Sequence, residues 1–396
     1  MDIRRLEEAE LAGKTALLRV DFNLPRDEVG AITDDTRLQA ALPTIQYLRD
    51  RGSRTLLLSH FGRPKGQPDP ALSLRFVVPA LSDALGTDVI FVERPSSEAI
   101  QALPQDAIVL IENTRFSEME TKGDERMAQF LASLGDVFVM DAFSAAHRNH
   151  ASSAVVGEYL PSFAGLAMER ELDHLAQALD HPKRPVMAIV GGAKVSTKID
   201  LLENLVERLD RLAIGGGMAN TFLLAKGHAI GKSLAEPDLV GKANDILKAA
   251  AQHNCEIILP VDVVTATEFK AGADTQVRDR DSVRPDEMIL DVGPDSVTEL
   301  MDAMDKSETL IWNGPLGAFE TPPFDTSTIE AAKYAGKLCQ AGKIIAVAGG
   351  GDTVAALNLA RVSDDFTFIS TAGGAFLEWM EGKTLPGVSV VTRGSA

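Results

Sequence analysis

AIVGGAKVSTKID (Ala188–Asp200) carries an apolar run into paired glycines, then into two lysines and two hydroxyl residues. Its apolar part belongs to RPVMAIVGG (Arg184–Gly192), a short uninterrupted run that suits a strand covered on both faces, as in parallel sheets. The residues after the glycines read as the start of a helix, with Lys194 and Lys198 four apart on one face of it. Two cations beside the positive end of a helix dipole are unfavourable unless an anion lies between them. The spacing is not that of a P-loop. The stretch is therefore either a phosphate site of another design or a tight turn with solvated lysines.

The same pattern recurs on both sides. Upstream lie TALLRVDF (Thr15–Phe22), RTLLLSHF (Arg54–Phe61), DVIFVE (Asp88–Glu93), AIVLIEN (Ala107–Asn113) and VFVMDAF (Val137–Phe143). Downstream lie RLAIGGG (Arg211–Gly217), EIILPVD (Glu256–Asp262), TLIWNGP (Thr309–Pro315), KIIAVAGGG (Lys343–Gly351) and FTFISTAGG (Phe366–Gly374). Helix-like segments separate them, which implies βαβ crossovers. A chain of 396 residues exceeds what one core usually supports. The expected architecture is α/β: two doubly wound, Rossmann-like parallel-sheet domains joined by a helical hinge. The join is expected in MERELDHLAQALDHPKRP (Met168–Pro185), whose helical body ends before Pro182 and Pro185. The expected divisions are residues 1–168, a hinge over 169–185, a second domain over 186–375, and a terminal segment over 376–396.

The halves differ in how their strands end. In the first, the runs end in Asp21 and Asn23, His60 and Arg63, Asn113 and Arg115, and Asp141. In the second they end in Gly191–Gly192, Gly215–Gly217, Gly314, Gly349–Gly351 and Gly373–Gly374. Ligands of open α/β sheets bind beyond the carboxyl ends of the strands. One domain thus offers charged side chains there, and the other offers bare backbone amides at helix starts, which suit phosphate.

Net charge is −18, from 39 basic and 57 acidic residues. That is a poor balance for nucleic-acid or membrane-surface binding. Against it, Arg37, Arg63, Arg115 and Arg148, read as lying just after strands, stand out. Arginine forks match carboxylate and phosphate, so they point to a small, multiply anionic ligand. Each also has a plainer reading as an ion pair or a surface turn, and Asp21 and Asn23 could simply tie down a loop. Asp352 and Thr353 read equally as a helix N-cap pair or as a Mg²⁺ site, since Mg²⁺ needs only one or two carboxylates plus phosphates. Cys255 and Cys339 are too few for a disulfide framework or zinc, and no apolar segment reads as a signal or membrane span. A cytoplasmic location is expected. The chain has no G-x-S-x-G, H-E-x-x-H or C-x-x-C, which fits a reaction run by positioning and charge alone.

RVDFN, LSHFGRP, ENTRF, DAFSAAHRNHAS, GGAKVS, IGGGMA, WNGPLGAFE, GGGDT and STAGGA occur in the order found in phosphoglycerate kinases, and from Arg19 to Ala375 the chain closely resembles that family. The resemblance implies a kinase moving a phosphoryl group from 1,3-bisphosphoglycerate to MgADP, giving 3-phosphoglycerate and MgATP. It implies glycerate binding by Asp21, Phe22, Asn23, Arg37, His60, Phe61, Gly62, Arg63, Arg115 and Arg148. It implies that Gly192, Gly215, Gly293 and Pro315 border the adenosine, that Glu320 binds ribose, and that Lys194, Lys198 and Asn313 contact phosphates. Gly350, Gly351, Asp352 and Thr353 would hold phosphates and Mg²⁺, with Asp352 as the metal ligand. Arg37, Lys194, Gly373 and Gly374 would act on the group in flight. A monomer is the family's expectation, as are closure at the hinge and near Ala372–Leu377, and a terminal segment, Leu385–Ala396, docked on the first domain. Departures are small: DAFSAAHRNH for DAFGTAHRAH, HFGRP for HLGRP and STAGGAF for STGGGAS. A nucleotide-dependent dehydrogenase and a non-catalytic bilobal anion-binding protein are the rival classes.

Overall fold

A computed structural model describes residues 2–393. The chain divides into two compact units: one runs to Asp173 and resumes at Thr384, and the other spans His174–Lys383. The division falls inside the helix Leu166–Leu175, which continues as one π-helical stretch over Ala176–Asp180.

The first unit holds strands β1 (Thr15–Arg19), β2 (Arg54–Leu58), β3 (Val89–Val92), β4 (Ile108–Ile111), β5 (Val137–Met140) and β6 (Ser162–Ala164). They form one six-stranded sheet in the order β3-β4-β2-β1-β5-β6, and every pairing is parallel. Every residue of β1, β2, β4 and β5 is buried, while the edge strand β3 is only half-buried. The near-continuous apolar runs follow from that double cover.

The second unit holds β7 (Val186–Val190), β8 (Arg211–Ile214), β9 (Glu256–Ile258), β10 (Asp262–Ala266), β11 (Gln276–Asp279), β12 (Met288–Val292), β13 (Thr309–Asn313), β14 (Ile345–Gly349) and β15 (Phe368–Ser370). Six of these make a parallel sheet ordered β15-β14-β13-β7-β8-β9, the doubly wound nucleotide-binding order. The α/β reading with two parallel sheets is thus what the chain adopts. The sequence reading did not foresee the antiparallel sheet β11-β10-β12. EIILPVD is not one strand: β9 stops at Ile258 and β10 begins at Asp262, because Pro260 between them has no N–H for a ladder.

Strand order reverses between β1 and β5 in the first sheet and between β7 and β13 in the second. Crevices at such reversals, beyond the strands' carboxyl ends, are where ligands lodge. The terminal segment packs on the first unit. Gly387 N donates to Ala146 O at 2.8 Å, and Arg4 N donates to Val391 O at 2.7 Å. It resumes that unit at Thr384 rather than at residue 376, since helix Gly373–Met380 belongs to the second. The end of the expected docking segment, residues 394–396, lies outside the described residues.

Candidate active site

In the first unit the site is built on loops that leave β1, β2, β4 and β5. Asp21 sits beyond β1, where its Oδ1 accepts from Asn23 N at 3.0 Å and its Oδ2 accepts from Ser144 Oγ at 2.5 Å. Ser144 follows β5, so this bond spans the reversal. Phe22 is buried, and its N–H donates to Ser59 Oγ at 2.9 Å. Asn23 Oδ1 accepts from Gly62 N at 2.9 Å, tying the β1 loop to the β2 loop.

Arg37 is not at a strand end. It is the second residue of helix Thr36–Asp50, whose buried Leu38, Ala41, Ile45 and Leu48 recur at helical spacing. That apolar face anchors the helix and turns Arg37 back toward β1, where Nη1 donates to Asn23 O at 2.9 Å and pairs with Asp21 Oδ2 at 3.3 Å. Arg115 lies in the turn after β4, and its Nη1 donates to Gly62 O at 2.9 Å. Its Nε is buried without a partner, and burial with Arg19, Arg148 and Arg63 nearby pulls its pKa down to about 10. A guanidinium under that pressure gains from an incoming anion. Arg63 and Arg148 are exposed. Gly62 takes φ +60°, and a Cβ there would lie 2.8 Å from Leu72 Cδ2, so the turn needs glycine. Phe61 packs on Phe76 at 4.9 Å, with the Arg26 guanidinium over both rings. An open depression of about 790 Å³ runs along Asn23, Arg26, Arg37 and Phe61.

In the second unit AIVGGAKVSTKID (Ala188–Asp200) does not run directly from strand into α-helix. Lys194 and Lys198 do not share a helix face. A short 3₁₀ turn occupies Val195–Thr197, and the helix Ile199–Val206 begins only after Lys198. Lys194 is exposed. Lys198 is half-buried and reaches back over the β7/β13 reversal. Its Nζ donates to Gly191 O at 2.6 Å, Asn313 O at 3.1 Å and Asn313 Oδ1 at 2.5 Å. Burial draws its pKa down to about 8, opposed by Asp352. Asn313 Nδ2 in turn donates to Gly349 O at 2.8 Å, and Gly314 N donates to Thr353 Oγ1 at 2.7 Å. These bonds join the ends of β7, β13 and β14 with the start of helix Gly351–Ala360. Gly350 is that helix's N-cap, so Asp352 and Thr353 lie in its first turn and are not a capping pair.

Beside this network is a cavity of about 660 Å³, walled by Gly192, Pro315, Glu320 and Asp352 with Leu234 and Phe269. Gly215 lies under Leu316 at the wall's edge, and Gly293 caps helix Pro294–Asp305 over the Asp262 carboxylate, next to the wall residue Val292. Gly373 and Gly374 open helix Gly373–Met380, whose Phe376 packs under Gly349. No hydrogen bond among the described residues links them to the Lys198 network. A Mg²⁺ fits the donor set. Asp352 is an exposed carboxylate on the cavity wall, and one carboxylate plus substrate phosphates satisfies that ion.

The sequence reading missed several residues tied to these sites. Arg19, the one charged residue of TALLR, is 1% exposed and contacts His60; a lone charge in an apolar strand was the available signal. Glu236 grips Ser196 through its N–H at 2.9 Å and hydroxyl at 2.6 Å, fixing the turn beside Lys194. Asn220 lines the cavity with its Nδ2 donating to Leu234 O at 3.0 Å. No local pattern marks either of these two. Among the described residues no helix is long and apolar enough to cross a membrane.

The model of the family described as phosphoglycerate kinase matches residues 6–383. The phosphoglycerate kinase of Caulobacter vibrioides is 57% identical over 395 residues, covering 99% of this chain and 100% of that protein. That of Maricaulis maris is 58% identical over 394 residues, covering 98% of each. Among solved structures, the phosphoglycerate kinase of Coxiella burnetii superposes with a TM-score of 0.93 at 40% identity, covering 98% of this chain and 99% of that one. The enzyme from Pyrococcus horikoshii gives 0.80 at 30% identity, covering 98% of each chain.

Proposed function

This chain belongs to the phosphoglycerate kinase family, and on that premise we propose how its residues carry the family's phosphoryl transfer between ATP and the carboxyl group of phosphoglycerate. The first unit binds 3-phosphoglycerate or 1,3-bisphosphoglycerate through Arg37, Arg63, Arg115, Arg148 and His60. Asp21 and Asn23 orient the glycerate, and Phe22, Phe61 and Gly62 shape the turn that holds it. The second unit binds ADP or ATP. Gly192, Gly215, Gly293 and Pro315 border the adenosine, Glu320 takes the ribose, and Lys198, Asn313, Gly350, Gly351 and Thr353 take the phosphates. The observation that carries this division is the Lys198 ammonium held over the β7/β13 reversal by Gly191 O and Asn313. It is a cation poised where a doubly wound sheet receives phosphate.

Asp352 would hold Mg²⁺ with the nucleotide, and that ion would neutralise phosphate charge. In the direction of acyl phosphate synthesis the nucleophile is a carboxylate, already ionised at neutral pH. It needs no general base, so the chain's residues have only to position the reactants and stabilise charge. Arg37 orients the carboxylate end. Lys194 and the amides of Gly373 and Gly374 face the equatorial oxygens of the group in flight. Because different units hold the two ligands, closure about Met168–Pro185 brings them together and excludes water. Small-angle scattering with both ligands bound should show compaction. The protein acts as a cytoplasmic monomer.

The test is ATP formation from 1,3-bisphosphoglycerate and ADP. Fast synthesis that stops on Mg²⁺ removal and returns on its addition is expected. A folded sample that binds both ligands without making ATP would overturn the reading.

A further inference from the structure

His60 follows β2, and its Nδ1 lies 3.0 Å from Nη2 of Arg19, the last residue of β1. A guanidinium has donors and no acceptor, and it keeps its proton across physiological pH. Nδ1 must then accept. A protonated imidazole would set two N–H groups head to head. In the neutral ring the remaining proton therefore sits on Nε2. That atom has no protein partner among the described residues and, unlike Arg115 Nε, is not sealed from solvent.

Arg19 is locked in place. Its Nε donates to Ser152 Oγ at 3.0 Å, and its Nη1 donates to Val20 O. Ser152 passes the contact to fully buried Glu120, donating from Oγ to Oε1 at 2.6 Å and from N to Oε2 at 3.0 Å. The buried carboxylate compensates the buried guanidinium through one hydroxyl. The charged and titratable groups facing His60 come from every neighbouring element: Arg19 from β1, Arg115 from the turn after β4, Arg37 from helix Thr36–Asp50, and His150 from the loop after β5. Burial first, and then these groups, hold the imidazole well below its usual pKa of 6.5.

We propose that Arg19 is a positioning residue that fixes His60 as the neutral Nε2–H tautomer, so that His60 serves the anion site as a hydrogen-bond donor and not as a cation. The arginines then supply the charge, and His60 supplies direction. The identity of the ligand rests on the reading above; the tautomer does not. One consequence is that affinity for the phosphorylated glycerate takes no contribution from His60 charge between pH 6 and 8. Another is that an amide with an N–H in the Nε2 position can replace the ring.

Two-bond ¹H–¹⁵N correlation of ¹⁵N-histidine protein without ligand tests this directly, with the His60 signal assigned by its loss in His60→Gln. The expected pattern is that of a protonated Nε2 and a bare Nδ1, unchanged from pH 8 to pH 5.5. An Nδ1–H tautomer, or a titration midpoint near 6.5, would overturn it. Arg19→Lys keeps a cation but removes the fork; it should mix the tautomers or raise the His60 midpoint, and unchanged signals would remove Arg19 from the proposal. With 3-phosphoglycerate as probe, His60→Gln should bind within about threefold of wild type, whereas His60→Leu should lose about tenfold, the value of one hydrogen bond. The wild-type to Gln ratio should stay flat with pH; a ratio that grows as pH falls would mark a charged imidazole. If wild type fails to bind 3-phosphoglycerate, the functional reading falls, and the spectra still decide the tautomer.

Discussion

The two units share an architecture and differ at the rim. Each is a six-stranded parallel sheet with a reversal of strand order beside its first strand. In the first unit polar side chains gather beyond the strand ends, where Asp21 pairs with Arg37 of helix Thr36–Asp50 and Asn23 accepts from the Gly62 amide. In the second the strands end in glycines whose backbones touch. A Cβ on Gly191 would lie 1.8 Å from Pro315 O, and one on Gly216 would lie 2.7 Å from Gly192 O. The contrast teaches that a doubly wound sheet fixes where a ligand goes, while the rim decides what it is. A small polyanion needs converging forks; a nucleotide needs a cavity and close backbone approach.

The largest effect should come from Lys194→Ala, which removes the exposed cation of the glycine rim. Turnover should fall by about 10²-fold or more, with ligand affinities changed far less; steady-state rates near wild type would remove Lys194 from the chemistry. Next, Gly191→Ala forces a methyl group into backbone and should cost the second unit roughly 2–4 kcal/mol. ADP binding should be lost while 3-phosphoglycerate binding survives. Unchanged thermal unfolding would break the claim that this rim is built from bare backbone.

The smallest effect concerns a buried acid at the first rim. Asp141 Oδ1 accepts from Ala167 N at 2.9 Å and Met168 N at 3.1 Å, holding the start of helix Leu166–Leu175. Its Oδ2 has no partner, and burial pushes its pKa up to about 7 from 3.8. A folded pKa above the unfolded one means stability is fully present below about pH 4 and is lost as pH rises through 7. Asp141→Asn keeps the accepting oxygen and never ionises. It should match wild type near pH 4 and exceed it by roughly 1–3 kcal/mol above pH 7. Denaturant unfolding across that range checks this, and a gap that shrinks as pH rises would contradict it.

Much of this was legible in the sequence because doubly covered strands leave an unbroken apolar signature, as in VMAIV (Val186–Val190) and IVLI (Ile108–Ile111). The glycine and arginine rims were legible because they interrupt it. What was hidden was non-local or short. Ser162–Ala164 is a three-residue strand, and β11 is largely exposed, so neither leaves a run. The partners of Lys198 and Arg19 lie up to 133 residues away, and no periodicity encodes them. The lysine spacing misled because a 3₁₀ turn interrupts the helix it implied.

The central claim is that each rim owns one ligand. The direct measurement is crossed calorimetric titration of 3-phosphoglycerate and ADP into Arg63→Ala and Lys198→Ala. Arg63→Ala should lose about tenfold or more for 3-phosphoglycerate and bind ADP as wild type does. Lys198→Ala should do the reverse. A variant that loses both ligands, or loses the other rim's ligand, would contradict the division.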